Sequence, residues 1–266
     1  MTMSLPSFMS AHVKQATQRL DGGTFEQLTA ALAQSESQSV MLSVHGERGI
    51  GGVFVDQGRI AWAAAPGTRA FLSDRLVAAG ADGEKMPQLL AEARARSMPL
   101  GQLVVERGLM HPADFAEVLF EHTVVSLGDM TSQRLEKIEQ HTRRGGTFAM
   151  AVTFPMVPLL AETVRRLVPS REAEASVPDQ IIAVEIVVVD GQPLPVRVLG
   201  KKEPTLSELR GLAAEAMSVM AHVGEGTASF RRGERAWSVS GNQSSFVVSE
   251  GRSLLSFAWM ASQGSR

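Results

Sequence analysis

The chain has 266 residues, 44% hydrophobic and 20% charged, and its 26 basic against 28 acidic side chains leave a formal net charge of −2. This balance excludes a global pull toward nucleic acid or an anionic membrane, so a partner must be recognised by a local surface. Cysteine is absent, which removes disulfides, thiolate metal sites and cysteine nucleophiles and is compatible with a reducing cytoplasm.

Residues 1–20 have neither a basic leading end nor a continuous apolar core, so they do not read as a signal peptide. No run approaches the roughly 18 apolar residues that a spanning helix needs. Residues 6–20 suit an amphipathic arm, giving an N-terminal segment 1–21 that "DGG" at 21–23 breaks. Thr24 is then placed to cap a helix whose Phe25, Leu28 and Leu32 share one face. Strands are expected at about 39–46, 50–56 and 59–65, where Val40, Leu42 and Val44 alternate and Asp56-Gln57-Gly58 makes a tight turn. "GTRAFLSDRLVAAG" restores a helical period and ends at Gly80, a C-cap.

From 84 to about 140 the pattern predicts a helical insertion with helices at 86–97, 99–107 and 112–127, the last opened by His111-Pro112. "GGTFAMAVTF" at 145–154 predicts a late strand returning to the first sheet, followed by the helix "VPLLAETVRRLV". Residues 169–180, polar and bounded by prolines, read as a linker between a first domain over 22–168 and a second over 181–266.

In the second domain, "IIAVEIVVV" is an apolar strand ended by Asp190-Gly191, and the prolines of "PLPVRVLG" mark its partner as an edge. A helix over 205–223 opens with Thr205 and Glu208 in capping-box spacing and buries Leu206, Leu209, Leu212, Ala213, Ala216 and Met220. Strands are expected at 227–232, at 235–240 extended through 245–249, and at 253–261. The fold class is therefore α+β with two domains: an antiparallel sheet with a large helical insertion, then a β-β-α-β-β-β sheet-and-helix domain.

Motifs for chemistry are missing. "GERGIGG" at 46–52 is glycine-rich but lacks phosphate-loop spacing and precedes no helix, so it reads as a hairpin turn. The histidines at 12, 45, 111, 122, 141 and 222 have no metal-ligand spacing. His45 is expected on a strand surface, while His122 and His222 are expected at helix ends, where an imidazolium gains about 0.3–1 kcal/mol from the dipole. No serine lies in G-x-S-x-G, although triads also assemble from distant residues, which leaves a hydrolase to an activity screen. Glu117 and Glu121 read as solvated surface. The doublets Arg143-Arg144, Arg165-Arg166, Lys201-Lys202 and Arg231-Arg232 are too scattered for a nucleic-acid footprint. The 13 methionines, Met217 and Met220 among them, suit core filling or an adaptable contact surface.

Two stretches carry resemblances. "SVMLSVHGERGIGGVFVDQGRIAWAAAPGTRAFLSDRL" with "GGTFAMAVTFPMVPLLAETVRRL" resembles the PATAN-type domain of bacterial signalling proteins over about 24–168. Within it, "PLGQLVVERGLMHPADFAEVLFEH" is similar to a helical repeat in the N-terminal domains of secretion and pilus ATPases, some of which bind cyclic di-GMP. The match rests on Leu100, Gly101, Gly108, Phe115 and Leu119, but Pro99 replaces the family's arginine and His122 its glutamine. Losing the arginine removes charge-assisted phosphate bonds of about 1.5–3 kcal/mol each. The last third, about 178–263, looks like a Roadblock/dynein light-chain domain. Such domains dimerise through the long helix and a sheet edge and in bacteria often serve Ras-like small GTPases.

The resemblances imply a cytoplasmic, non-enzymatic bacterial adaptor that needs no cofactor. It would be a homodimer that binds a small GTPase or another signalling protein, with Leu206, Leu209, Leu212, Met217 and Met220 marking the interface helix. The alternative is a cyclic-dinucleotide sensor contacting its ligand near Leu100, Gly101 and Gly108.

Overall fold

A computed structural model describes residues 19–68, 71–96, 100–142, 152–168, 182–200 and 202–251. The linker at 169–180, the strand at 253–261 and the arm, apart from its last three residues, lie outside the described residues, as do Pro99 and the doublet Arg143-Arg144.

Helix α1 spans Gly22–Gln34 and starts before Thr24, because Asp21 is the N-cap and its Oδ1 accepts from Thr24 N at 2.7 Å. A carboxylate caps at least as well as a hydroxyl. Thr24 Oγ1 donates instead to the Gln133 carbonyl at 3.0 Å. Strands β1 (Ser39–Gly46), β2 (Gly49–Asp56) and β3 (Arg59–Ala64) form the expected meander. Gln57 and Gly58, with φ of 48° and 79°, give the β2–β3 turn the mirror-image twist that tight hairpins prefer.

Helix α2 (Phe71–Ala78) follows the meander, and the insertion then contains α3 (Met86–Ala95), α4 (Leu100–Glu106) and α5 (Pro112–Thr131). It ends sooner than the helical pattern implies, since Leu135–Thr142 is strand β4. Leu135 and Ile138 stand three apart, as on a helix, but pairing with β1 sets Ile138 opposite Val44 and Lys137 opposite His45. Tertiary pairing overrides the local signal. Of the strand expected at 145–154, the described part is β5 (Phe154–Pro155), which pairs with Ile60 and Arg59 of β3. Helix α6 (Met156–Leu167) follows, and the first sheet has the order β4-β1-β2-β3-β5.

The second half consists of β6 (Ala183–Val189), β7 (Gln192–Val198), α7 (Leu206–Val223), β8 (Glu225–Arg232), β9 (Arg235–Asn242) and β10 (Ser245–Glu250). The stretch expected as one strand through 249 is therefore two. Asn242 Oδ1 accepts from the backbone N–H of Ser244 and of Ser245, both at 2.9 Å, and so builds the intervening turn. The second sheet is antiparallel with the order β7-β6-β10-β9-β8, which puts the proline-bearing β7 at an edge, as its sequence implies.

The protein is α+β, with one five-stranded antiparallel sheet from each half. One continuous core joins them: Phe25, Leu28 and Leu32 of α1, Leu159 and Leu160 of α6, and Leu206, Leu209 and Leu212 of α7 belong to a single apolar cluster. Gly22 allows the closest approach, for a Cβ there would lie 2.4 Å from the Val189 carbonyl oxygen. A second, smaller core lies among α2–α5, around Leu76, Leu103 and Phe115.

Candidate protein-interaction surface

Helix α7 is shaped by its cap and its apolar stripe. Thr205 Oγ1 accepts from Glu208 N at 3.1 Å, while the Glu208 carboxylate accepts from Arg235 at 2.7 Å. Leu206, Leu209, Leu212 and Met220 are almost fully inaccessible, and Met217 is half-buried against the same core. Each fully buried leucine or methionine contributes about 1.5–3 kcal/mol. As contact residues these positions need correcting: four of the five are spent inside the monomer, because a helix on a sheet turns its apolar stripe inward. The outward face presents Ser207, Ala214, Glu215, Ser218, Ala221 and His222.

The two flanks of α7 differ. On one side lies α1, where Arg210 pairs with Glu26 and the Glu36 carboxylate accepts from Leu206 N and from Ser207 Oγ, the latter at 2.5 Å. A cavity of about 20 Å³, room for one water, lies between Phe25, Thr29, Pro195 and Leu209. On the other side the Arg232 guanidinium of β8 lies over Gly211, at the place a side chain there would fill, with Nε 3.8 Å from Glu215.

Arg232 belongs to β8, which among the described residues ends the second sheet. Strand β8 pairs with β9 through eight consecutive positions without a register shift and has no second strand beside it among the described residues. Glu225, Gly226, Thr227, Ser229 and Arg231 are exposed, while Ala228 and Phe230 pack toward α7. The opposite edge is protected: β7 carries Pro193 and Pro195, has a bulge opposite Glu185–Ile186, and is packed by α6. The sequence pattern marked the prolines but not this edge, since which strand ends the sheet depends on strand order.

The residues of the nucleotide alternative have structural work. Leu100 opens α4 half-buried on the smaller core. Gly101 is buried under Phe115, whose Cζ would be 1.9 Å from a Cβ. Gly108 has φ of 63°, a left-handed turn residue closing α4.

Helix α5 carries buried His122, Ser126 and Asp129, spaced four and three apart, and buried Gln133 follows just past its C-cap Ser132. Ser126 Oγ is 2.7 Å from Thr68 Oγ1, Arg48 donates to Asp129 at 2.5 Å, and Arg48 N donates to Gln133 Oε1 at 2.8 Å. The two Arg48 bonds fasten the 46–52 turn, which is a hairpin as its spacing implies, to the end of α5. His122 is thus mid-helix and buried, not at a helix end, and burial, aided by Arg75, pulls its pKa down to about 4. His222 does lie in the last turn of α7, and His45 is a partly buried strand residue 3.1 Å from Glu139.

Glu117 is exposed as expected, whereas Glu121 receives two bonds from Arg166, at 2.6 and 2.8 Å, which hold its carboxyl below the usual range. Among the described residues no group of three or more His, Asp or Glu could hold a metal ion, and no helix is long and apolar enough to cross a membrane. Compared with known proteins, the chain matches no family model, no curated protein and no solved structure.

Proposed function

We propose that this chain is a non-catalytic bacterial signalling adaptor acting in the cytoplasm. It works as a homodimer through its second half and holds a protein partner, a Ras-like small GTPase or another signalling protein. The observation that carries the reading is the asymmetry of the second sheet: β7 is closed by prolines, a bulge and α6, while β8, beside the outward face of α7, is long, regular and proline-free and ends the sheet among the described residues. An unprotected edge of this kind is a ready template for another chain. A helix face with an adjoining edge can supply the roughly 800 Å² per partner of a standard interface. The β-β-α-β-β-β order that carries the Roadblock resemblance, spanning 183–250, supports the same reading.

The test is light scattering on the purified chain, together with its use as bait for small GTPases loaded with GDP or with a GTP analogue. A dimer that retains a GTPase in one nucleotide state is the expected result. A monomer that captures no protein sinks the proposal.

A further inference from the structure

We infer that the Glu185–Arg197 ion pair is the register key of the β6–β7 hairpin: it installs the bulge in β7 and supplies position without net stability. Near the Asp190-Gly191 turn the ladder is set by the turn itself, with Val189 paired to Gln192, Val187 to Leu194 and Ile186 to Pro195. Beyond Pro195 the register shifts by one residue, so Val196 is left over, Glu185 stands opposite Arg197 and Val184 opposite Val198. A straight continuation would instead oppose Glu185 to Val196, Val184 to Arg197 and Ala183 to Val198.

Apolar pairing does not choose between these two registers. Residues 181–189 are apolar on both faces apart from Glu185, and Val196, Val198 and Leu199 are apolar whichever way they point. Only the two charged side chains tell the registers apart. Ile186 and Pro195 line the small cavity beneath α7 together with Leu206 and Leu209, so alternation turns Val184 to the α7 side and Glu185 to the other. In the straight register Arg197 would share the α7 side with Val184, its guanidinium driven among apolar side chains on the face opposite Glu185. The bulge brings both groups to one face, where Arg197 Nε and a terminal nitrogen each lie 3.1 Å from Glu185 Oε2. The Glu185 side chain is 7% exposed and that of Arg197 34%. Burial raises the Glu185 carboxyl even with the guanidinium beside it, the sign of a pair whose desolvation consumes what attraction returns. Such a pair specifies an arrangement at little gain in stability.

The chain lacks cysteine, so paired substitutions can report the register. Val198→Cys with Val184→Cys opposes two thiols in the bulged hairpin, and Val198→Cys with Ala183→Cys opposes them in the straight one. Opposed residues stand about 4.5–5.5 Å apart at Cα, within disulfide reach. With Glu185 and Arg197 in place the first pair is expected to oxidise at least about tenfold faster than the second. Adding Glu185→Leu and Arg197→Leu should reduce that preference to about threefold or less. Without the cysteines, the urea midpoint of the doubly leucine chain should stay level or rise. Arg197→Lys alone keeps the charge and should keep the preference. An undiminished preference in the doubly leucine chain, or its loss in Arg197→Lys, overturns the register assignment. A lowered urea midpoint, or a doubly leucine chain that no longer folds, overturns the claim that the pair supplies position and not stability.

Discussion

Glu36 closes the N-terminus of a helix 170 positions away, its Oε1 accepting from the backbone N–H of Leu206. The carboxylate comes from the turn after α1 and the helix from the second sheet, so an anion supplied by one half satisfies orphan donors of the other. Glu36→Ala is expected to cost about 1–2 kcal/mol of global stability, measured by urea unfolding. A change below about 0.3 kcal/mol would show that water caps α7 equally well.

Because the core is shared, the halves should unfold together. Trp62 reports on the first sheet and Trp237 on the second. Variants in which Trp259 and one of these two are replaced by phenylalanine should give coincident fluorescence transitions, as two-state unfolding requires. Two separated midpoints would mean that the halves are independently stable.

Gly101→Ala should cost about 1–3 kcal/mol by overpacking against Phe115. Phe115→Leu in the same chain should recover part of that cost, giving a coupling energy of about 0.5–3 kcal/mol in a double-mutant cycle. Additive losses would place the clash elsewhere.

His122 predicts an acid-sensitive window. Its folded pKa of about 4 lies below the ordinary 6.5, so between those values the unfolded chain binds the extra proton and stability falls as pH falls. The loss from pH 7 to pH 4 should be about 2–4 kcal/mol, and His122→Gln should flatten it. Glu121, held low by Arg166, and Glu162, where burial is outweighed by bonds from Arg165 and Arg166, lose their contributions at lower pH, as they take up protons below about 4.5. Glu185, raised by burial beside Arg197, acts in the opposite sense. An unchanged slope in His122→Gln would assign the window to other groups.

Arg166→Ala should destabilise by about 0.5–1 kcal/mol, since the guanidinium bridges Glu121 on α5 and Glu162 on α6 at a half-exposed position. The deficit should shrink at about 1 M salt, where screening is strong. Equal deficits at both salt concentrations would point to packing by the arginine stem.

Local pattern was a good guide where local chemistry decides. The β1–β3 meander follows from alternation plus Asp56-Gln57-Gly58, and α7 from its cap and stripe. It misled where a distant partner decides: Leu135–Thr142 becomes a strand because β1 is beside it, and His122 sinks into the protein because α2 and β3 pack on α5. Leu206, Leu209, Leu212 and Met220 were legible as one face of a helix, but only packing shows that this face is spent internally. The β8 edge was invisible, since an edge is a property of strand order and not of any one strand.

Pro193 and Pro195 have a consequence beyond their own strand. A sheet with two receptive sides can recruit copies without end and grow into a fibre, whereas a sheet blocked on one side has nothing left to offer once its other side is occupied. The two missing backbone donors of β7 thus deny this sheet a second receptive side.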